Sequence, residues 1–108
     1  MVVTVKNIFA NLPEALDSEE FLTLFQNGSI KIERIASHSH HSPANFWYDA
    51  AEEEWVIVLR GSATLEFADG ALVEMRAGDY LAIASHVRHR VARTGVETIW
   101  LAVQVKPI

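Results

Sequence analysis

The chain has no cysteine. That excludes a disulfide framework and any thiolate metal site, so a bound metal would have to take nitrogen and oxygen ligands. It also fits a reducing cytoplasm, the expected location. Proline is scarce, with three residues, and glycine little more frequent, with five. No repeat, linker or low-complexity segment breaks the chain. No apolar run approaches the length of a membrane span, and residues 1–6 lack the layout of a signal peptide, so no membrane partner is expected. Basic residues are few as well: nine Lys and Arg against fourteen Asp and Glu, a net charge of −5. An acidic chain without a basic stripe is a poor nucleic-acid binder, so none is expected as a partner. The one local basic patch, Arg88, Arg90 and Arg93, reads either as a solvated strand face or as a holder for a carboxylate or phosphate of a small ligand.

What is present is a globular composition, 50% apolar and 21% charged over 108 residues. That is one domain, 1–108, large enough to bury a core unaided, with an irregular N-terminal arm of about residues 1–20 in which Pro13 interrupts any helix. Asp17 to Glu20 reads as a helix cap or single turn, with Glu20 completing a capping box. Beyond it, hairpin punctuation takes over. Asn27-Gly28 is a strong turn signal that would join strands Phe21–Gln26 and Ser29–Ser37, although Phe21–Phe25 also reads as a short helix. Gly61, Asp69-Gly70, Gly78-Asp79 and Thr94-Gly95 then separate Glu52–Leu59, Ser62–Phe67, Ala71–Met75, Tyr80–Ala84, Arg88–Arg93 and Glu97–Val105. Eight or nine short strands at near-regular spacing predict an all-β sandwich or barrel.

The five histidines fall into two clusters, His38, His40 and His41, then His86 and His89. Neutral imidazole is the commonest protein ligand of transition metals. The strand from Ile30 places Ile30, Ile32, Arg34, Ala36, His38 and His40 on one face, apolar at first and imidazole at its end, as the wall of a barrel with a polar mouth would be. Lys31, Glu33 and Ile35 form the other, more solvent-like face. Glu54 shares parity with Val56 and Val58, and His89 with Val87 and Val91, so each sits on an otherwise apolar inner face. Trp55 has the opposite parity and should point outward. A histidine cluster in a loop with no ligand role is the competing reading.

These residues resemble the cupins, a superfamily of small antiparallel jelly-roll β-barrels. Their first motif joins His-x-His to a Glu six residues ahead of a Gly, and His38-Ser39-His40 with Glu54 and Gly61 supply those parts. Cupins usually leave three or four residues between the second His and the Glu, whereas residues 41–53 intervene here. The second motif runs from Gly78-Asp79 through an apolar strand to His89, with Ala84 and His86 where Pro and Gly are usual. The resemblance implies a divalent transition metal (Fe, Mn, Ni, Cu or Zn) on His38, His40, Glu54 and His89, with His41 an alternative ligand and His86 a competitor of His89. It implies an oxygenase or isomerase acting on a compact, oxygen-rich metabolite, or else a non-catalytic binding or sensor module. Tyr48, Tyr80, His86 and Arg88 are the candidates for the ligand pocket, with Arg90 beside them. Trp47, Trp55, Trp100 and the arm offer surface for a homodimer, with Phe21–Gln26 adding to a partner's sheet edge.

Overall fold

The computed structural model describes residues 2–14 and 18–107. Eight strands follow one another: β1 (Glu20–Asn27), β2 (Ile30–Ser37), β3 (Glu53–Arg60), β4 (Ser62–Phe67), β5 (Leu72–Arg76), β6 (Tyr80–Ile83), β7 (His89–Thr94) and β8 (Thr98–Val105). No helix occurs among the described residues, and so none long and apolar enough to cross a membrane. Every strand pairing is antiparallel. One sheet runs β1-β2-β8-β3-β6 and the other β5-β4-β7, the two halves of a jelly roll.

The core comes from the inward residues of alternating strands, as the two-residue period of a strand demands. Val56 and Val58 of β3, Leu65 of β4, Met75 of β5, Ile83 of β6 and Trp100 of β8 form one buried cluster. Trp100 is therefore core, 4% exposed, and not surface for a partner to cover. Trp55 points outward as expected, against Tyr80 with ring centroids 5.4 Å apart. At the β3–β4 corner Gly61 has φ +86, and a Cβ there would collide with the Glu97 carbonyl oxygen and with Thr98. Only glycine satisfies both the backbone angle and that approach.

Two expectations need correction in the first hairpin. Asn27 remains in β1, paired with Ile30, so the two-residue loop is Gly28-Ser29. Gly28, at φ +55, takes the first central position, where a type II′ turn wants glycine. The capping box needs Asp17, which lies outside the described residues, while Glu20 opens β1 rather than a helix.

The larger correction concerns β2. Ile35 stands opposite Trp100 and Glu33 opposite Ala102, so the odd-numbered residues face the core. The even-numbered face, expected to be the barrel wall, is the outer one. Its second half, Arg34 and Ala36, is nevertheless buried, because the N-terminal arm crosses it there. Arg34, 2% exposed, donates to the carbonyls of Ile8 (3.1 Å), Ala10 (2.8 Å) and Asn11 (3.4 Å) and to the Glu20 carboxylate (2.7 Å). With both faces covered, alternation along β2 alone cannot tell inside from outside.

Candidate functional site

Between the sheets lies a cavity of about 140 Å³. Its floor is apolar, built from Ile35, Val56, Leu65, Ile83, Val91 and Trp100. Glu19, Glu33, Tyr48, Glu52, Glu54, His89 and Gln104 add polar groups to the wall. The approach to β3 explains much of this. Tyr48, Ala50, Glu52, Glu54 and Val56 all line the cavity, every second residue, so the strand's alternation extends upstream of its first ladder bond. On β7, His89 and Val91 face the same space.

His89 is 8% exposed. Its Nδ1 lies 2.9 Å from the Val87 carbonyl, which can only accept, so Nδ1 carries the proton and Nε2 is left as the basic face. That Nε2 stands 3.9 Å from Glu54 Oε1, beyond hydrogen-bonding distance. The other Glu54 oxygen accepts from Gln104 Nε2 at 3.2 Å, and the same amide donates to Glu33 Oε1 at 3.2 Å. Burial, reinforced by the charges of Glu33 and Glu52, pushes the Glu54 carboxyl above the usual carboxylate range, against the opposing Gln104 hydrogen bond and His89. Tyr48 is joined to His89 twice through the backbone, its N–H donating to the His89 carbonyl (2.7 Å) and its carbonyl accepting from the His89 N–H (3.2 Å). Its ring stacks on the imidazole with centroids 5.4 Å apart. Burial and the charges of Glu19, Glu54 and Glu33 raise its pKa, which keeps the phenol a neutral donor at neutral pH.

Of the residues singled out in the sequence, the structure brings Glu54, His89 and Tyr48 together. It takes the others elsewhere. His38 Nε2 donates to the Pro13 carbonyl at 3.1 Å, on the outer face that Arg34 also occupies. Ser39 adopts φ +59, which ends the extended run, and His40 Nδ1 turns back to accept the His38 backbone N–H at 2.8 Å. His41 bonds the Ser42 carbonyl at 3.0 Å. His86 is exposed and meets Asp49 at 2.7 Å, and Arg88 lies 5.7 Å from the centre of the Trp47 ring. Arg90 is engaged by Glu66 (2.9 Å) and the Ser42 carbonyl (2.8 Å), where it ties the 38–48 loop to β7. Tyr80 is 65% exposed on the outer face of β6. The sequence reading missed Gln104, Glu33 and Ala50. Parity would have found Gln104, which stands two strand steps from Trp100, and Ala50, which stands two from Glu54.

Known proteins give the arrangement its context. The sequence model of the family described as "Cupin domain" matches residues 28–103. A crystal structure of a proposed mannose-6-phosphate isomerase from Ralstonia eutropha JMP134 is 42% identical, with a TM-score of 0.91, over 97% of this chain and 100% of that one. A cupin superfamily protein from Desulfitobacterium hafniense is similar in fold at 16% identity and a TM-score of 0.79, covering 99% of this chain and 95% of its own. So is an RmlC-like cupin with a double-stranded β-helix fold from Methanocaldococcus jannaschii, at 13% identity and 0.73, covering 98% and 93%. No curated protein sequence matches the chain.

Proposed function

The chain belongs to the cupin family, and from that premise we propose that it is a small isomerase-like cupin that moves a proton within a compact hydroxylated metabolite. One observation carries this reading: a partly buried carboxyl, Glu54, faces the basic nitrogen of His89 across 3.9 Å in a cavity with an apolar floor. Two groups that are close but not bonded to each other can both reach one substrate in the cavity. Isomerising a hydroxy-aldehyde to a hydroxy-ketone needs a base that takes a proton from the carbon next to the carbonyl and returns it to the neighbouring carbon. A carboxyl with a raised pKa suits that task at neutral pH. His89 Nε2 passes the hydroxyl proton between the two oxygens, and the Tyr48 phenol donates to the carbonyl oxygen. The similar Ralstonia protein carries an isomerase name, which supports this class of reaction.

The phosphate in that name does not carry over as readily. Glu19, Glu33, Glu52 and Glu54 line the cavity, and among the described residues no lysine or arginine does. Such a wall repels a phosphate dianion, so the proposed substrate is an uncharged aldose. The test is deuterium exchange from D2O into D-mannose, followed by NMR, with D-mannose 6-phosphate alongside. Exchange that favours the neutral sugar, and falls at least about a hundredfold in Glu54→Gln, is the expected result. Binding of neutral aldoses by the wild type without exchange would replace this reading with a non-catalytic binding module.

We also propose that the protein works as a homodimer through β1. That strand is a sheet edge, carries no charge from Phe21 to Gln26, and leaves Phe21 and Phe25 52% and 53% exposed. A long, apolar, unprotected edge invites pairing, and a strand that meets its own copy across a two-fold axis satisfies both edges at once. Light scattering should return the mass of two chains, and Phe25→Lys should shift it to one.

A further inference from the structure

A metal held by His38, His40, Glu54 and His89 would need those four side chains around one point. Among the described residues, no three His, Asp or Glu side chains come together in a metal-holding group. His89 and Glu54 do face each other, but two ligands fall short of the three or four protein ligands that hold such ions. The second oxygen of Glu54 is occupied by the Gln104 amide, which presents N–H donors, not a lone pair, to both Glu54 and Glu33. His38 and His40 lie on the far side of β2, turned there by the parity of the strand and by Ser39. The inward positions ahead of Glu54 belong to Tyr48, Ala50 and Glu52, and no histidine is among them. Three residues separate Ala50 from Glu54, the interval at which the cupin pattern places its second histidine.

We infer that this cavity is a metal-independent site, in which Tyr48 and Ala50 stand where two imidazole ligands would have to stand, while His38 fastens the N-terminal arm. The donors that remain form a proton-handling set, in which Tyr48 is tied to His89 through the backbone and by stacking. His38 and Arg34 together hold the carbonyls of Ile8, Ala10, Asn11 and Pro13, and thus residues 8–13 of the arm.

Elemental analysis of untagged protein and titration with Co(II), read through its visible absorption bands, test the inference. Wild type should carry well under one transition metal per chain and give no bands. The double variant Tyr48→His/Ala50→His should bind Co(II) roughly a hundredfold more tightly, with new bands, because it rebuilds the ligand set. About one metal per wild-type chain, lost in His89→Ala, would overturn the inference. So would a double variant that melts cooperatively yet gains no bands. If the double variant does not fold, the wild-type measurements decide alone. For the arm, His38→Ala should speed cleavage after Glu14, already exposed, by a glutamate-specific protease several-fold with Co(II) behaviour unchanged, and an unchanged cleavage rate would overturn that part. These readouts are separate from deuterium exchange, so failure here and failure of the isomerase reading are distinguishable.

Discussion

Strand β2 separates two buried polar clusters that differ in one respect. On its outer face the Arg34 guanidinium is surrounded by acceptors, three backbone carbonyls and a carboxylate. On its inner face Glu33 leads through Gln104 to Glu54, and Glu54 stops 3.9 Å short of His89. The outer cluster engages both terminal nitrogens of the guanidinium, leaves only Arg34 Nε without a partner, and pins the arm. The inner one leaves a carboxyl whose burial disfavours its charge and an imidazole nitrogen with no bond to it. A charge met by several neighbours at once holds structure in place, whereas one met by a single amide is available to something else.

Variants on either side should separate these behaviours. The largest effect on stability is expected at Arg34: Arg34→Met leaves the arm's carbonyls and Glu20 without their donor, and should cost about 3 kcal/mol in urea unfolding while the cavity groups stay in place. A loss below about 1 kcal/mol would mean that the outer cluster is no more than a surface pair. Next comes Glu54→Gln, which should abolish proton exchange yet fold well, since the amide still accepts from Gln104; loss of folding instead would make the inner cluster structural. His38→Ala follows, with the loss of a single hydrogen bond, about 1 kcal/mol, and a looser arm. The smallest effect is in pH dependence. The Glu54 carboxyl binds its proton more tightly folded than unfolded, so between the ordinary carboxylate range and its raised value the folded chain holds the extra proton. Stability contributed there is lost as pH rises through that window. Melting curves should show wild type losing ground to Glu54→Gln from acid toward neutral pH; parallel curves would remove the basis for the inner cluster's unmet charge.

The sequence disclosed these two clusters unequally. Strand order and bounds followed from glycine and asparagine punctuation, and Ser62–Phe67 is β4 to the residue. Glu54 and His89 were legible because each interrupts an apolar alternation on a strand with one dry face. The face of β2 was not, since its outer residues are buried by an arm contributed from elsewhere in the chain, and its inner face is polar where the cavity begins. Alternation alone therefore reads Glu33 as a solvent residue, as Lys31 is, and puts His38 on the wrong side. Tyr48 entered as a pocket candidate for its hydroxyl, whereas its link to His89 is made by backbone bonds between segments forty residues apart. Such a link leaves no periodic trace.

The position of β8 has a consequence for how the chain comes to be made. It is the last strand in sequence yet lies between β2 and β3, pairing Ile30 with Val105 on one side and Glu53 with the same residue on the other. Until residues 98–105 leave the ribosome, the β1–β2 hairpin and the β3–β6 pair have no strand between them, and Trp100 and Gln104 are missing from the cavity wall. The N-terminal hairpin, with its phenylalanines, must wait for β8 to be synthesised. Folding is therefore dominated by distant contacts, which makes it slow, and a nascent chain stalled before β8 presents its apolar hairpin to chaperones.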